Sequence, residues 1–137
     1  MTVQQATLES AALAVFAAAK KILGDEAIPS KAVIVGGAAL WHLTRHRPTA
    51  DIDIWLTGPM KPRTLKRAIP TVDPAFRLNM EAIHGVTYQC PSSRTVVPVD
   101  FVNIKSTPFV PRSAIISKLG DNELPWADRD DIVALKA

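Results

Sequence analysis

Val33-Ile-Val-Gly-Gly-Ala-Ala-Leu40, followed by Arg47-Pro-Thr-Ala-Asp-Ile-Asp-Ile-Trp-Leu56, is the stretch on which the fold turns. An apolar, β-branched run ends in Gly36-Gly37, the pattern of a strand entering a turn and then a helix. A second apolar run carries Asp51 and Asp53. Side chains at i and i+2 of a strand leave by the same face, so these carboxylates point together while Ile52 and Ile54 point into a core. Two like charges held together cost free energy unless a cation or a proton compensates them, which points to a divalent metal. Glycines at a strand-to-helix turn let backbone N–H groups approach a phosphate, and the helix N-terminus adds a favourable partial charge.

On either side of this stretch, helical and strand patterns alternate. Leu8, Ala12, Val15, Phe16, Ala19 and Leu23 recur at helical spacing, and Gly24 closes the segment. The patterns predict a strand over 32–35, a helix from Gly37 or Ala38 to Arg45 broken by Pro48, and a strand over 51–56 ending at Gly58-Pro59. Residues 61–69 read as a helix stopped by Pro70, and alternation predicts strands over 77–82, 86–90 and 95–102. Two helices are expected in the tail, over 112–119 and 127–135, with Asp128 or Asp130 suited to the first turn of the second. The expected fold is therefore α/β (α+β), a mixed sheet flanked by helices in a single domain over 1–137. Residues 1–30 form its helix and linker, 31–104 its core and 105–137 its closing helices.

A third carboxylate, Asp100, lies in Val96-Val-Pro-Val-Asp-Phe-Val102. Val97 and Val99 share one face of this strand, and Asp100 and Val102 the other. An aspartate in so apolar a strand needs compensation by a metal, by pairing with an arginine or by capping of a loop.

Together these residues resemble the nucleotidyltransferase fold of the polymerase-β superfamily, and most of all the minimal nucleotidyltransferases of abortive-infection (type IV toxin) systems. Their pattern is Gly-Gly-x-Ala, then Arg-x-Thr-x-Asp-Ile-Asp, then an apolar strand with Asp. This chain supplies Gly36, Gly37, Ala39, Arg47, Thr49, Asp51, Ile52, Asp53 and Asp100, and Ser117-Lys-Leu-Gly120 and Asp130 to Leu135 resemble the family's closing segments. The resemblance implies a metal-dependent enzyme that moves NMP from an NTP, such as ATP, to a hydroxyl on RNA or tRNA, a protein or a small molecule. It implies that Asp51, Asp53 and Asp100 hold Mg²⁺ or Mn²⁺ and do the catalysis. Gly36, Gly37, Arg47, Thr49 and Lys118 are then the nucleotide contacts. Larger relatives continue into a helical region that helps hold the acceptor. This sequence ends soon after the catalytic-type segment, which makes nucleotide binding the first expectation and transfer the second.

The rest of the composition narrows the field. With 137 residues and 47% hydrophobic content, the chain can bury a core without staples. The single cysteine, Cys90, excludes an internal disulfide and fits a reducing, cytoplasmic setting, and no activating base stands beside it in the sequence. No apolar run reaches membrane-spanning length. The net charge of +3 is mild, but Lys61, Arg63, Lys66 and Arg67 cluster just beyond the carboxylate strand, as a solvated helix face or a polyanion-gathering one. His42 and His46 have the i, i+4 spacing of a zinc pair without an obvious third ligand, and His84 reads as a turn residue. Other Asp-x-Asp chemistries fit less well: phosphatases of the haloacid dehalogenase type lack the Gly-Gly turn, and metal-binding glycosyltransferases need a larger domain. The remaining alternative is a degenerate nucleotidyltransferase fold acting as a nucleotide- or partner-binding module. An exposed Pro125-Trp126 and the basic helix would form the surface of a toxin–antitoxin-like pair.

Overall fold

The computed structural model describes residues 4–24, 29–45, 49–78, 85–102 and 111–136. They form a single mixed α/β domain whose elements run α1 (Gln5–Leu23), β1 (Lys31–Val35), α2 (Gly36–Thr44), β2 (Ile52–Thr57), α3 (Pro62–Val72), β3 (Phe76–Leu78), β4 (Val86–Gln89), β5 (Val96–Val102), β6 (Ala114–Ile115) and α4 (Arg129–Lys136). The six strands make one sheet in the order β3-β4-β5-β2-β1-β6. β2 and β5 pair in parallel, and the remaining pairs, including β1 with β2, are antiparallel. Arg47, His46 and Pro48, the 79–82 end of the expected third strand, and His84 lie outside the described residues.

Strand alternation splits the sheet into two faces. Ile34, Ile52, Ile54, Leu56, Val97, Val99 and Phe101 join the apolar stripe of α1 and Leu65 and Ile69 of α3 in the main core. Val33, Val35 and Trp55 leave by the other face and pack with Ala39 of α2 and Ile132 of α4. The Ala-rich inner side of α1 lets the helix lie close to its neighbours, because Ala11, Ala12, Ala18 and Ala19 are all buried. α3 divides sharply. Leu65 and Ile69 are buried, while Lys61, Arg63 and Arg67 stay exposed. Pro62 starts this helix where an N–H is dispensable.

Three expectations need correction. α3 does not end before Pro70 but carries it inside and continues to Val72. A proline in the last turn removes only one intrahelical bond, and Asp73 N–H still closes on Ile69 O at 3.1 Å. The segment expected as a helix over 112–119 is instead β6 followed by a 3₁₀ turn at Ile116–Lys118. Its β-branched Ile115 pairs with Lys31 of β1, so the open edge of the sheet outweighs local helical periodicity. Pro125 and Trp126 are not an exposed patch. Both are half-buried, Ile34 N–H donates to Pro125 O at 2.7 Å and Ala127 N–H to Ile34 O at 2.9 Å. The Trp126 ring stacks on His42 with centroids 4.1 Å apart.

The expected acidic start of α4 is present. Asp128 Oδ1 accepts from Asp131 N–H at 2.9 Å, and Asp128 also pairs with Arg112 at 2.7 Å. An aspartate there satisfies an N–H that the helix leaves without an internal partner.

Ile54, fully buried in the strand between β1 and β5, tests how far the sheet carries the fold. Ile54→Ala should cost about 2–5 kcal/mol of unfolding free energy, read as a lower denaturant midpoint at unchanged slope.

Candidate functional site

The two glycines of the turn are matched one-to-one with a residue of β2 and one leading into it. Gly36 opens α2 at φ +66, and a Cβ there would stand 2.9 Å from Asp53 Oδ2. A Cβ on Gly37 would stand 3.0 Å from Thr49 Oγ1. Thr49 in turn donates its hydroxyl to Asp51 Oδ1 at 3.0 Å. The backbone of the turn can come this close to Asp53 and Thr49 only because both positions lack a side chain. The first residue of α2 therefore stands directly beside Asp53.

The third carboxylate joins through the sheet. In the parallel β2–β5 pair Asp53 is the register partner of Asp100, with Ile52 opposite Val99 and Ile54 opposite Phe101. Neighbouring strands lie about 4.8 Å apart, so Asp53 and Asp100 leave one face side by side. Asp100 meets Lys66 of α3 in an ion pair whose side chains are 18% and 20% exposed. Its Oδ1 is shut off from solvent, and the Lys66 ammonium is its partner there.

Gly36, Gly37, Thr49, Asp51, Asp53 and Asp100 are thus brought to one end of β1 and β2. Lys118 is not. It follows β6, which pairs with Lys31 and Ala32 at the start of β1, whereas Asp53 pairs with Val35 at its end. Lys118 instead lies with Lys31, Ser113 and Glu123 in a hollow at the sheet edge. Arg47 lies outside the described residues.

Carboxylates at paired positions of adjacent strands are of the oxygen-donor type that a hard divalent cation takes. Among the described residues no group of three or more His, Cys, Asp or Glu side chains converges to metal-holding geometry. At Asp100 the neutralising charge is the Lys66 ammonium. Lys66 is the residue that sequence reasoning missed in this role. It read as one of four clustered cations, and nothing in their spacing singles out the one that turns inward.

Two further groups depart from their ordinary behaviour. Hydrogen bonds from the Ser92 side chain, and then from Ser93, pull the Cys90 thiol down to about 7. The Ser92 hydroxyl lies 3.3 Å from Cys90 Sγ. The sequence showed no activating base beside Cys90, and hydroxyl donors supply the effect instead. On α2, burial first and the Arg45 charge second push His42 below 6.5, against a smaller opposing pull from Glu9.

No family model, characterised protein or solved structure matches this chain. No helix among the described residues is long and apolar enough to cross a membrane.

Gly36→Ala should destabilise the domain by about 1–3 kcal/mol, through the positive φ and the displacement of Asp53, measured by denaturant unfolding. Lowering the pH should also cost stability through His42. The unfolded imidazole takes its proton near 6.5 and the folded one only at lower pH, so the contribution is complete above pH 6.5 and is lost as pH falls through the folded value. His42→Phe, which keeps the stack on Trp126, should show a shallower loss of melting temperature below pH 6.5 than the parent.

Proposed function

We propose that the chain is a metal-dependent nucleotidyltransferase of the polymerase-β type, which transfers NMP from an NTP to a hydroxyl acceptor. The observation that carries this reading is the alignment of Asp53 with Asp100 across β2 and β5, beside a turn whose two glycines press on Asp53 and Thr49. Close backbone approach at a helix N-terminus suits a phosphate, and neighbouring carboxylates suit the divalent ion that accompanies it.

Asp51, Asp53 and Asp100 would hold Mg²⁺ or Mn²⁺, with Thr49 fixing the orientation of Asp51 through its hydroxyl. When bound, such an ion neutralises phosphoryl charge and lowers the pKa of an attacking hydroxyl. The N–H groups of the first turn of α2, beginning at Gly36 and Gly37, would take the β and γ phosphates. Asp100 would accept the proton of the acceptor hydroxyl. A bond forms between that oxygen and the α-phosphorus, the bond to the bridging oxygen breaks, and pyrophosphate departs with the electron pair. Lys118 takes no part in this arrangement, because it lies at the opposite end of β1. Arg47 remains a proposed phosphate contact from sequence resemblance.

A second reading, a nucleotide- or partner-binding module without transfer activity, draws support from the Lys66–Asp100 ion pair. An aspartate neutralised by lysine is a poorer base and a poorer metal ligand.

Thermal melting with each of the four NTPs, in Mg²⁺, Mn²⁺ or EDTA, tests the site. A ligand at a hundred times its Kd stabilises the native state by about 2.7 kcal/mol, a rise of several degrees. The rise should require the metal and disappear in Asp51→Asn and Asp53→Asn, whose own melting temperatures should stay close to the parent's. An NTP-dependent rise that survives in both variants places the nucleotide elsewhere.

A further inference from the structure

We propose that the outward face of α3 docks the phosphate backbone of a nucleic-acid duplex, through Lys61, Arg63 and Arg67 and without reading the bases. This surface stands apart from the carboxylates of the sheet and needs neither a metal nor a nucleotide there.

The charges of α3 oppose the helix that carries them. Lys61 precedes its first turn and Arg63 lies within it, where the helix dipole disfavours cations. Arg63 and Arg67 are four residues apart, so like charges stand one above the other. Two other helices follow the opposite order: α1 carries Lys20 and Lys21 in its last turn, and α4 opens with Asp130 and Asp131. No acidic residue occurs between Asp53 and Asp73, and among the described residues none of Lys61, Arg63 and Arg67 enters an ion pair. All three are exposed, in contrast to Lys66, which turns in to Asp100. Such a face gains electrostatically when an anion from outside lies along it.

The chemistry of the face selects the anion. Its outward side chains are Arg63, Thr64, Arg67 and Thr71, and the helix has no aromatic residue. Its exposed large apolar side chain, Val72, stands at its last position. Protein interfaces centre on aromatic and apolar anchors, which the middle of this face lacks. Arginine, lysine and threonine side chains are the usual partners of phosphate oxygens. Single strands are held in a basic groove with aromatic platforms for the bases, and the convex face of a helix without aromatics provides neither. A duplex offers phosphates at high density, about one charge per 1.7 Å of axis, so cations in a row engage it without base contacts.

The test is fluorescence anisotropy of a labelled DNA duplex of mixed sequence, titrated with the full chain at low salt. The logarithm of the binding constant should fall against the logarithm of salt with a slope of about −2.7, from about 0.9 for each of three neutralised phosphates. Arg63→Gln and Arg67→Gln together should weaken binding about tenfold and flatten the slope by about 1.8. Lys31→Gln with Lys118→Gln, which removes the same charge beside β6 at the other edge of the sheet, should change both far less. A second duplex of unrelated sequence should bind equally well. The arginine variants should melt at or slightly above the parent temperature, since each removes a cation that the dipole or its neighbour opposes. No binding by the parent, equal losses in the two pairs of variants, or arginine variants that melt several degrees lower overturns the proposal. Displacement of the duplex by polyglutamate at equal charge marks an acidic protein as the partner and overturns the nucleic-acid reading.

Discussion

The register that sets Val35 opposite Asp53 governs the architecture of this domain. It places Ile34 opposite Ile54 and Ala32 opposite Leu56 on the face covered by α1 and α3. The same alignment turns Asp53 away from that core and brings it under Gly36 at the start of α2. A slip of one residue would drive Asp53 into the apolar layer and expose Ile52 and Ile54. Burying a carboxylate there without a partner costs several kcal/mol, so the apolar pattern of β1 and β2 excludes the slipped pairing. The position of the candidate site is thus a by-product of core formation.

Two chains of contact leave that register. One runs from Gly37 through Thr49 to Asp51, and the other from Gly36 through Asp53 and Asp100 to Lys66. The first is local in sequence and fixes a carboxylate by a hydroxyl. The second spans four elements and ends on a helix that packs against the opposite core. Lys66 therefore couples the packing of α3 to the charge of the site. The short segment Pro125–Ala127 performs a comparable linking task on the other side, bonding to Ile34 and presenting Trp126 to His42 on α2.

Proximity of this kind has chemical consequences only where desolvation and charge meet. Asp100 is mostly withdrawn from water, and one lysine compensates its charge. Lys118, equally cationic, stands at the far end of β1 and has no such leverage. At Cys90, on the β4–β5 connection, side-chain and backbone hydrogen bonds from Ser92 and Ser93 lower the thiol's pKa without a charged neighbour.

Most of the sheet, and which carboxylates flank it, can be read from residue order. Apolar alternation at Val33–Val35, Ile52–Leu56 and Val97–Phe101 states which side chains must be buried, and burial dictates the face on which Asp53 and Asp100 leave. The adjacent glycines likewise announce a close backbone approach. Tertiary structure alone decided the rest. That the segment after Arg112 becomes an edge strand depended on an unfilled edge of β1, information that resides in another part of the chain. That α3 runs through Pro70 followed from packing of Leu65 and Ile69 against α1 and the sheet, which tolerates one missing hydrogen bond. Which of four neighbouring cations meets Asp100, and that Lys118 does not, are facts of three-dimensional distance. Periodicity reports which side of an element a residue occupies; the partner across the gap is fixed only when the elements dock.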